Sequence, residues 1–65
     1  MQAMIPRSEV LATLDNLLTE LAGELTRHAA EIVASQGPER ERHLAAAAAL
    51  RYALDCVRRA RDNVY

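Results

Sequence analysis

The 65-residue chain lacks several features that stabilise or identify small proteins. It has no tryptophan, no phenylalanine and a single cysteine, Cys56, so it cannot form an internal disulfide. Its longest apolar run, residues 44–50, is far shorter than the roughly 20 residues that a membrane helix needs. The first residues also lack the charged and long apolar segments of a signal peptide. We therefore expect a cytoplasmic protein.

An excess of charge of one sign is also missing. Eight arginines stand against nine acidic residues, a net charge of −1, whereas nucleic-acid-binding domains are usually basic. Residues 1–37 carry five acids and two arginines (−3), and residues 38–65 carry four acids and six arginines (+2). We expect these complementary halves to face each other. The absence of lysine and the many alanines indicate a G+C-rich bacterial or phage genome.

One break, at residues 35–38, divides the chain. Gly37 suits a helix end, and Pro38 suits the first turn of a following helix. Pro6 limits extension of the first helix toward the start of the chain, and Ser8 is a suitable N-cap. The sequence predicts helices over about residues 9–34 and 38–63, joined by a loop at about 35–37. No segment alternates with the period of two that a strand requires.

Apolar residues recur at alternating steps of three and four, the heptad pattern of helices that pack side by side. Both apolar arcs are wider than a two-stranded coiled coil needs, because alanines and further leucines widen them. The sequence therefore predicts an all-α, antiparallel two-helix hairpin, a single domain that pairs as a homodimeric four-helix bundle. The expected dimer core is Leu11, Leu14, Leu18, Leu21, Leu25, Ile32, Leu50, Leu54 and Val57. The apolar line of the second helix also includes His43, Ala46, Ala53, Ala60 and Val64.

Two histidines interrupt the apolar pattern. His28 and His43 lie on the expected core side of their helices, and an antiparallel hairpin places them within about one turn of each other. Inward-facing histidines and glutamates build metal sites in helical bundles. One alternative is therefore a metal-binding bundle that uses His28 and His43 with Glu24, Glu31 and Glu39. The other interpretations are structural histidines that set the helix register, which the spacing favours, or a pH switch.

No group of residues indicates catalysis or a cofactor. The serines lie at expected helix ends, the two glycines are isolated, and no second cysteine accompanies Cys56. We expect Cys56 to be a small buried apolar residue, with a dimer-linking disulfide or a redox-active thiol as the alternatives. The sequence predicts neither an enzyme nor a bound cofactor.

Residues of the type that forms binding hot spots lie on the outer side of the second helix. Tyr52 occurs there with Arg51, Arg58 and Arg59, among acidic residues that can pair with them. Gly23 lies on the outer side of the first helix, where another chain could approach closely. The candidate partner-binding residues are Tyr52, Arg51, Arg58, Arg59 and Gly23.

Apolar residues also occur near both ends of the hairpin. Met4 and Ile5 precede Pro6, and Val64 and Tyr65 follow the second helix, so they could close over the bundle or form an exposed patch. Taken together, the sequence predicts a small non-enzymatic regulator, inhibitor or adaptor that occludes a partner protein. The alternatives are a metal-binding bundle, a nucleic-acid-binding hairpin that uses the arginines of the second helix, and a structural assembly unit.

Overall fold

The structure, a computed structural model, describes residues 4–64. Helix α1 spans Arg7–Ala34 and helix α2 spans Gly37–Asp62, and the two pack along their lengths as an antiparallel hairpin. The described chain is elongated, with dimensions of 55 × 21 × 14 Å. The prediction of an all-α hairpin is confirmed: no strand occurs within these residues.

Helix α1 begins earlier than predicted. Pro6 occupies the N-cap position, and its carbonyl accepts hydrogen bonds from the backbone N–H groups of Glu9 and Val10. Ser8 is therefore inside the helix, and no side chain caps it, so the prediction of Ser8 as N-cap is wrong. The physical reason is that Pro6, with φ of −58°, already has the backbone torsion of a helix entry.

The turn between the helices uses the residues that the sequence indicated, but it is shorter. Ser35 and Gln36 are extended, and α2 starts at Gly37, whose φ of +64° lies in the left-handed region that favours glycine. Pro38 follows in the first turn of α2, where its missing N–H costs nothing. The hydroxyl of buried Ser35 donates to the Glu31 carbonyl at 2.6 Å and satisfies one free carbonyl of α1.

The predicted apolar line of α1 is the side that packs against α2. Its half-buried residues follow the steps of three and four without interruption at Leu11, Leu14, Leu18, Leu21, Leu25, His28 and Ile32, and Val10 is half-buried beside them. On α2 the half-buried line includes His43, Leu50 and Val57. Packing is nevertheless incomplete: among the described apolar residues, Leu54 alone is buried, and it is still 6% exposed. A two-layer hairpin leaves the flanks of every other apolar side chain in contact with water.

Two positions of α2 differ from the prediction. Ala60 is exposed, and half-buried Arg61 takes the inner position instead. Arg61 can occupy it because its aliphatic stem packs while its guanidinium group reaches Asp15 on α1. Cys56 is exposed, so the prediction that it is buried is wrong. Its position lies beyond the edge of the α1 contact, where a hairpin has no further layer to cover it.

Apolar residues at the open end of the hairpin do not close over it. Met4 and Ile5 are exposed, whereas Val64 is half-buried. The remaining member of the predicted cluster, Tyr65, lies outside the described residues. Neither α1 nor α2 contains an apolar stretch of the length needed to cross a membrane.

Candidate interaction surface

A groove lies on one face of the hairpin, in the half nearer the turn. It has a volume of about 710 Å³ and runs between the two helices. Three of its eight lining residues are alanines, whose short side chains fill little of the space between the helices. It is lined by Leu25, Thr26, Ala29 and Ile32 of α1 and by Leu44, Ala47, Ala48 and Arg51 of α2.

Exposed apolar side chains accompany this groove. Leu44, one of its lining residues, is 49% exposed, and Val33, one turn from Ala29 on the same side of α1, is 83% exposed. Large contiguous apolar patches on protein surfaces are typical of interaction sites, which makes this groove a candidate. The sequence pattern placed Val33 and Leu44 outside the main apolar lines but could not show that they flank one groove.

A line of alternating charges continues from the groove along α2. Arg51, Asp55, Arg58 and Asp62 are spaced by four, three and four residues, so they lie on one side of the helix. We call these four residues the charged stripe. Arg58 and Asp55 form an ion pair at 4.0 Å, and both are well exposed. All four side chains are exposed, so the stripe is available for contacts outside the chain.

The outer side of α2 carries two further candidate residues. Tyr52 is 70% exposed, and Arg59, two turns away on the same side, is exposed as well. The Nε–H of Arg59 donates to the Asp55 carbonyl at 3.4 Å. Gly23 does not join them, because it lies on the outer side of α1, where an added Cβ would have no neighbour within 4 Å. The structure therefore divides the predicted partner-binding residues between two helices.

One ion pair joins the acidic and basic halves of the chain across the helix contact. Arg61 Nε lies 2.7 Å from Asp15 Oδ1. The N–H itself is buried and is not directed at an acceptor, so the contact is electrostatic rather than a well-aligned hydrogen bond. The expected attraction between the two halves is thus present at this pair.

The two histidines meet near the turn. The Nδ1 atoms of His28 and His43 are 2.8 Å apart, and the ring centroids are 5.1 Å apart. One ring must carry its proton on Nδ1 and the other must accept it there. The predicted proximity of His28 and His43 is confirmed, and a hydrogen bond between the rings accounts for their position on the inner side of both helices.

The acidic residues near these histidines do not complete a metal site. Glu31 Oε2 lies 4.0 Å from His43 Nε2, on the other nitrogen of that ring, so it does not converge with the two Nδ1 atoms. Glu24 instead pairs with Arg27, and Glu39 is exposed in the first turn of α2. Within residues 4–64 no three His, Cys, Asp or Glu side chains are placed to hold a metal ion.

One contact near the turn had no signal in the sequence pattern. Arg40 of α2 donates from Nε to the Ile32 carbonyl at 3.1 Å and so satisfies a free carbonyl at the end of α1. Arg40 is eight residues from Ile32 along the chain, so only the geometry of the turn brings the two together. The last turn of α1 itself contains no basic residue.

Comparison with known proteins gives no relative: no family model, no curated protein and no solved structure matches this chain.

Proposed function

We propose that this protein is a non-enzymatic binding protein of the cytoplasm, which works as a homodimer of helical hairpins and occludes part of the surface of another protein. The observation that carries the proposal is the open groove near the turn, lined mainly by apolar side chains. A chain of this length is marginally stable alone, and additional apolar burial is the usual remedy. A second copy of the hairpin supplies that burial.

Incomplete packing within one chain supports self-association. Leu54 is the only buried apolar side chain of the described residues, and the inner leucines of α1 are only half-buried. A helix in a four-helix bundle contacts two neighbours rather than one, so a second hairpin would cover these flanks. The gain is about 25 cal/mol for each Å² of apolar surface removed from water.

The distribution of charge supports a second copy as the occupant of the groove face. Residues 1–37 carry a net charge of −3 and residues 38–65 a net charge of +2, so the chain is complementary to itself. The charged stripe has the same property on a smaller scale, because arginine and aspartate alternate along it. Complementary charge directs association and suppresses incorrect partners.

Two neighbouring alanines provide a matched test. Ala29 lines the groove, whereas Ala30 is exposed on the outer side of α1. Glutamate is a good helix former, so either substitution should preserve the helix. We expect Ala29→Glu to weaken self-association at least about tenfold, since it places a charge in an apolar contact. Ala30→Glu should leave the dimer unchanged.

Analytical ultracentrifugation of the wild type and both variants measures the effect, with circular dichroism to verify that each chain is helical. A wild-type monomer at all accessible concentrations would contradict the dimer. Equal effects of Ala29→Glu and Ala30→Glu would show that the groove is not the contact surface. In either case the groove face would be free for a different protein.

Exposed Tyr52 and Arg59 favour the outer side of α2 as the surface that binds the partner protein. Tyrosine and arginine are enriched at binding hot spots, and an arginine at this position fits a partner surface with acidic side chains. Neither residue lines the groove, so both stay accessible when a second copy covers it.

The partner surface is tested with Arg59→Glu, with Arg42→Glu as a control elsewhere on the same helix. Co-purification from the source cells should lose one specific protein with Arg59→Glu and retain it with Arg42→Glu. Dimerisation and helicity should be unchanged in both variants. Retention of every co-purified protein by Arg59→Glu would argue against this surface.

A further inference from the structure

We propose that the two copies associate in an antiparallel, staggered register, with the charged stripes of the two α2 helices facing each other and the Met4–Ile5 segment of each copy reaching the groove of the other. This inference rests on the proposed function, because it requires self-association. In this arrangement α2 of one copy contacts α2 of the other, and the two helices overlap only along their last halves.

The order of charges in the stripe fits its own reverse. Read from Arg51 to Asp62 the stripe is basic, acidic, basic, acidic, and read backwards it is acidic, basic, acidic, basic. A two-fold axis between Asp55 and Arg58 therefore sets every arginine opposite an aspartate of the second copy. Arg51 meets Asp62, and Asp55 meets Arg58, each twice, as the isologous contacts of a two-fold dimer require.

Contacts within the chain leave the stripe able to form these pairs. The Arg58–Asp55 ion pair has a separation of 4.0 Å, and both side chains are more than 60% exposed. Exposed ion pairs of this kind contribute little to stability. Exchange of this contact for pairs that are partly shielded between two helices would cost little and would fix the register.

The alternative register, with complete overlap of the two hairpins, is less favourable. It places the two-fold axis at the middle of α2, between Ala48 and Arg51. Arg58 would then face Glu41, but Arg51 would face Ala48 and Asp55 would face Leu44. A charged side chain held against an apolar one is shielded from water without gaining a partner, which is destabilising. The sign pattern thus favours the staggered arrangement.

The staggered register also places the exposed apolar segment before α1 level with the groove of the second copy. At 1.5 Å per residue, Leu44 lies about 19 Å from the axis toward the turn. His28 and His43 lie at the same height along the hairpin, so Arg7, 21 residues before His28, is level with Val64, 21 residues after His43. Both are about 11 Å from the axis, on the side away from the turn. Two extended residues add about 7 Å and reach Ile5. The two-fold axis therefore brings Ile5 of one copy to the height of Leu44 of the other.

This match explains two features that a single hairpin leaves unexplained. Met4 and Ile5 are 91% and 69% exposed although both are apolar, and the groove near Leu44 is open. In the staggered dimer each feature covers the other. The apolar groove of each copy thus contacts an apolar segment, and the charged stripe contacts the oppositely charged residues of the second stripe.

Charge exchange tests the register directly. Arg51→Asp and Asp62→Arg each create two like-charged contacts in a homodimer, and each should weaken it at least about tenfold. The double variant Arg51→Asp/Asp62→Arg restores opposite charges across the contact and should recover the affinity to within about threefold. Recovery is not complete because each exchanged residue then lies one turn from a residue of like charge in its own helix. An equimolar mixture of the two single variants should form a heterodimer tighter than either homodimer. Arg59→Asp on the outer side is the matched control and should have no effect.

A second variant tests the seating of the apolar segment. Ile5 precedes α1, so Ile5→Asp leaves the helices intact, and we expect it to weaken the dimer about tenfold by placing a carboxylate in the groove. Ultracentrifugation measures all of these variants, with circular dichroism as the control for folding.

The outcomes separate the register from the proposed function. A stable wild-type dimer in which Arg51→Asp and Asp62→Arg have no effect, or in which their mixture forms no heterodimer, would overturn the register and leave the dimer standing. A dimer insensitive to Ile5→Asp would overturn the seating of that segment. A wild-type chain that is monomeric would overturn both proposals.

Discussion

His28 and His43 face each other across the hairpin with their Nδ1 atoms 2.8 Å apart. They are polar members of a mainly apolar helix contact, and they lie near the turn, where Ser35 and Arg40 also satisfy the end of α1. A shared proton between the two rings ties α1 to α2 at this end. Asp15 and Arg61 provide the corresponding polar contact nearer the open end.

The hydrogen bond between the two rings should contribute to the stability of the hairpin. His28→Ala removes one partner and leaves Nδ1 of half-buried His43 without the other ring. A half-buried polar group that loses its partner destabilises the folded chain.

Urea titration of the wild type and of His28→Ala measures this effect. We expect a loss on the order of 1 kcal/mol in the free energy of unfolding, the net value of one hydrogen bond. An unchanged free energy of unfolding would contradict a stabilising hydrogen bond between the rings.

The two glycines should respond to alanine in opposite directions. Gly23 is inside α1 with open space around it, so Gly23→Ala should stabilise the helix by about 1 kcal/mol. Gly37 has a φ of +64°, so Gly37→Ala should destabilise the hairpin by about 1 kcal/mol or more. Chemical denaturation measures both. A Gly23→Ala variant that is less stable would show that another chain approaches α1 closely at this position.

Leu54 should be the most sensitive apolar residue. It is 6% exposed, and its replacement by alanine should cost roughly 2–5 kcal/mol. Leu17, which is 39% exposed, provides the control, and Leu17→Ala should cost clearly less. The free energies of unfolding from urea titrations give the comparison. Equal losses in the two variants would mean that Leu17 is covered in the assembled protein to the same degree as Leu54.

The Asp15–Arg61 pair should show a small, salt-dependent coupling. Both side chains are more than one third exposed, so solvent screening limits the interaction to roughly 0.2–1 kcal/mol. A double-mutant cycle with Asp15→Asn and Arg61→Gln measures it, and about 1 M salt should remove most of it. A coupling that persists in high salt would indicate a contact that water does not reach.

Most of the fold could be predicted from the sequence because each helix carries its own local signal. The alternation of steps at Leu11, Leu14 and Leu18 identified the inner side of α1, and Gly37 with Pro38 identified the turn. Proximity of His28 and His43 followed from their distances to that turn. These features depend only on helical periodicity and on the conformations that glycine and proline allow.

The remaining features depend on contacts between helices, which periodicity does not specify. Pro6 starts α1 through its carbonyl, a role for which the side chain of Ser8 gave a misleading signal. Ala60 and Arg61 are neighbours at the edge of the inner arc, and only the reach of Arg61 toward Asp15 decides which of them turns inward. The groove likewise depends on how small alanines of α2 meet α1.

Sedimentation equilibrium of the wild-type chain over a wide range of concentrations tests the central claim most directly. The account predicts a dimer of twice the 7.2 kDa chain mass, whose dissociation increases with salt because opposite charges pair across the contact. A single species of 7.2 kDa at every concentration would contradict it. The groove and the charged stripe would then be candidate binding surfaces for a different protein rather than for a second copy.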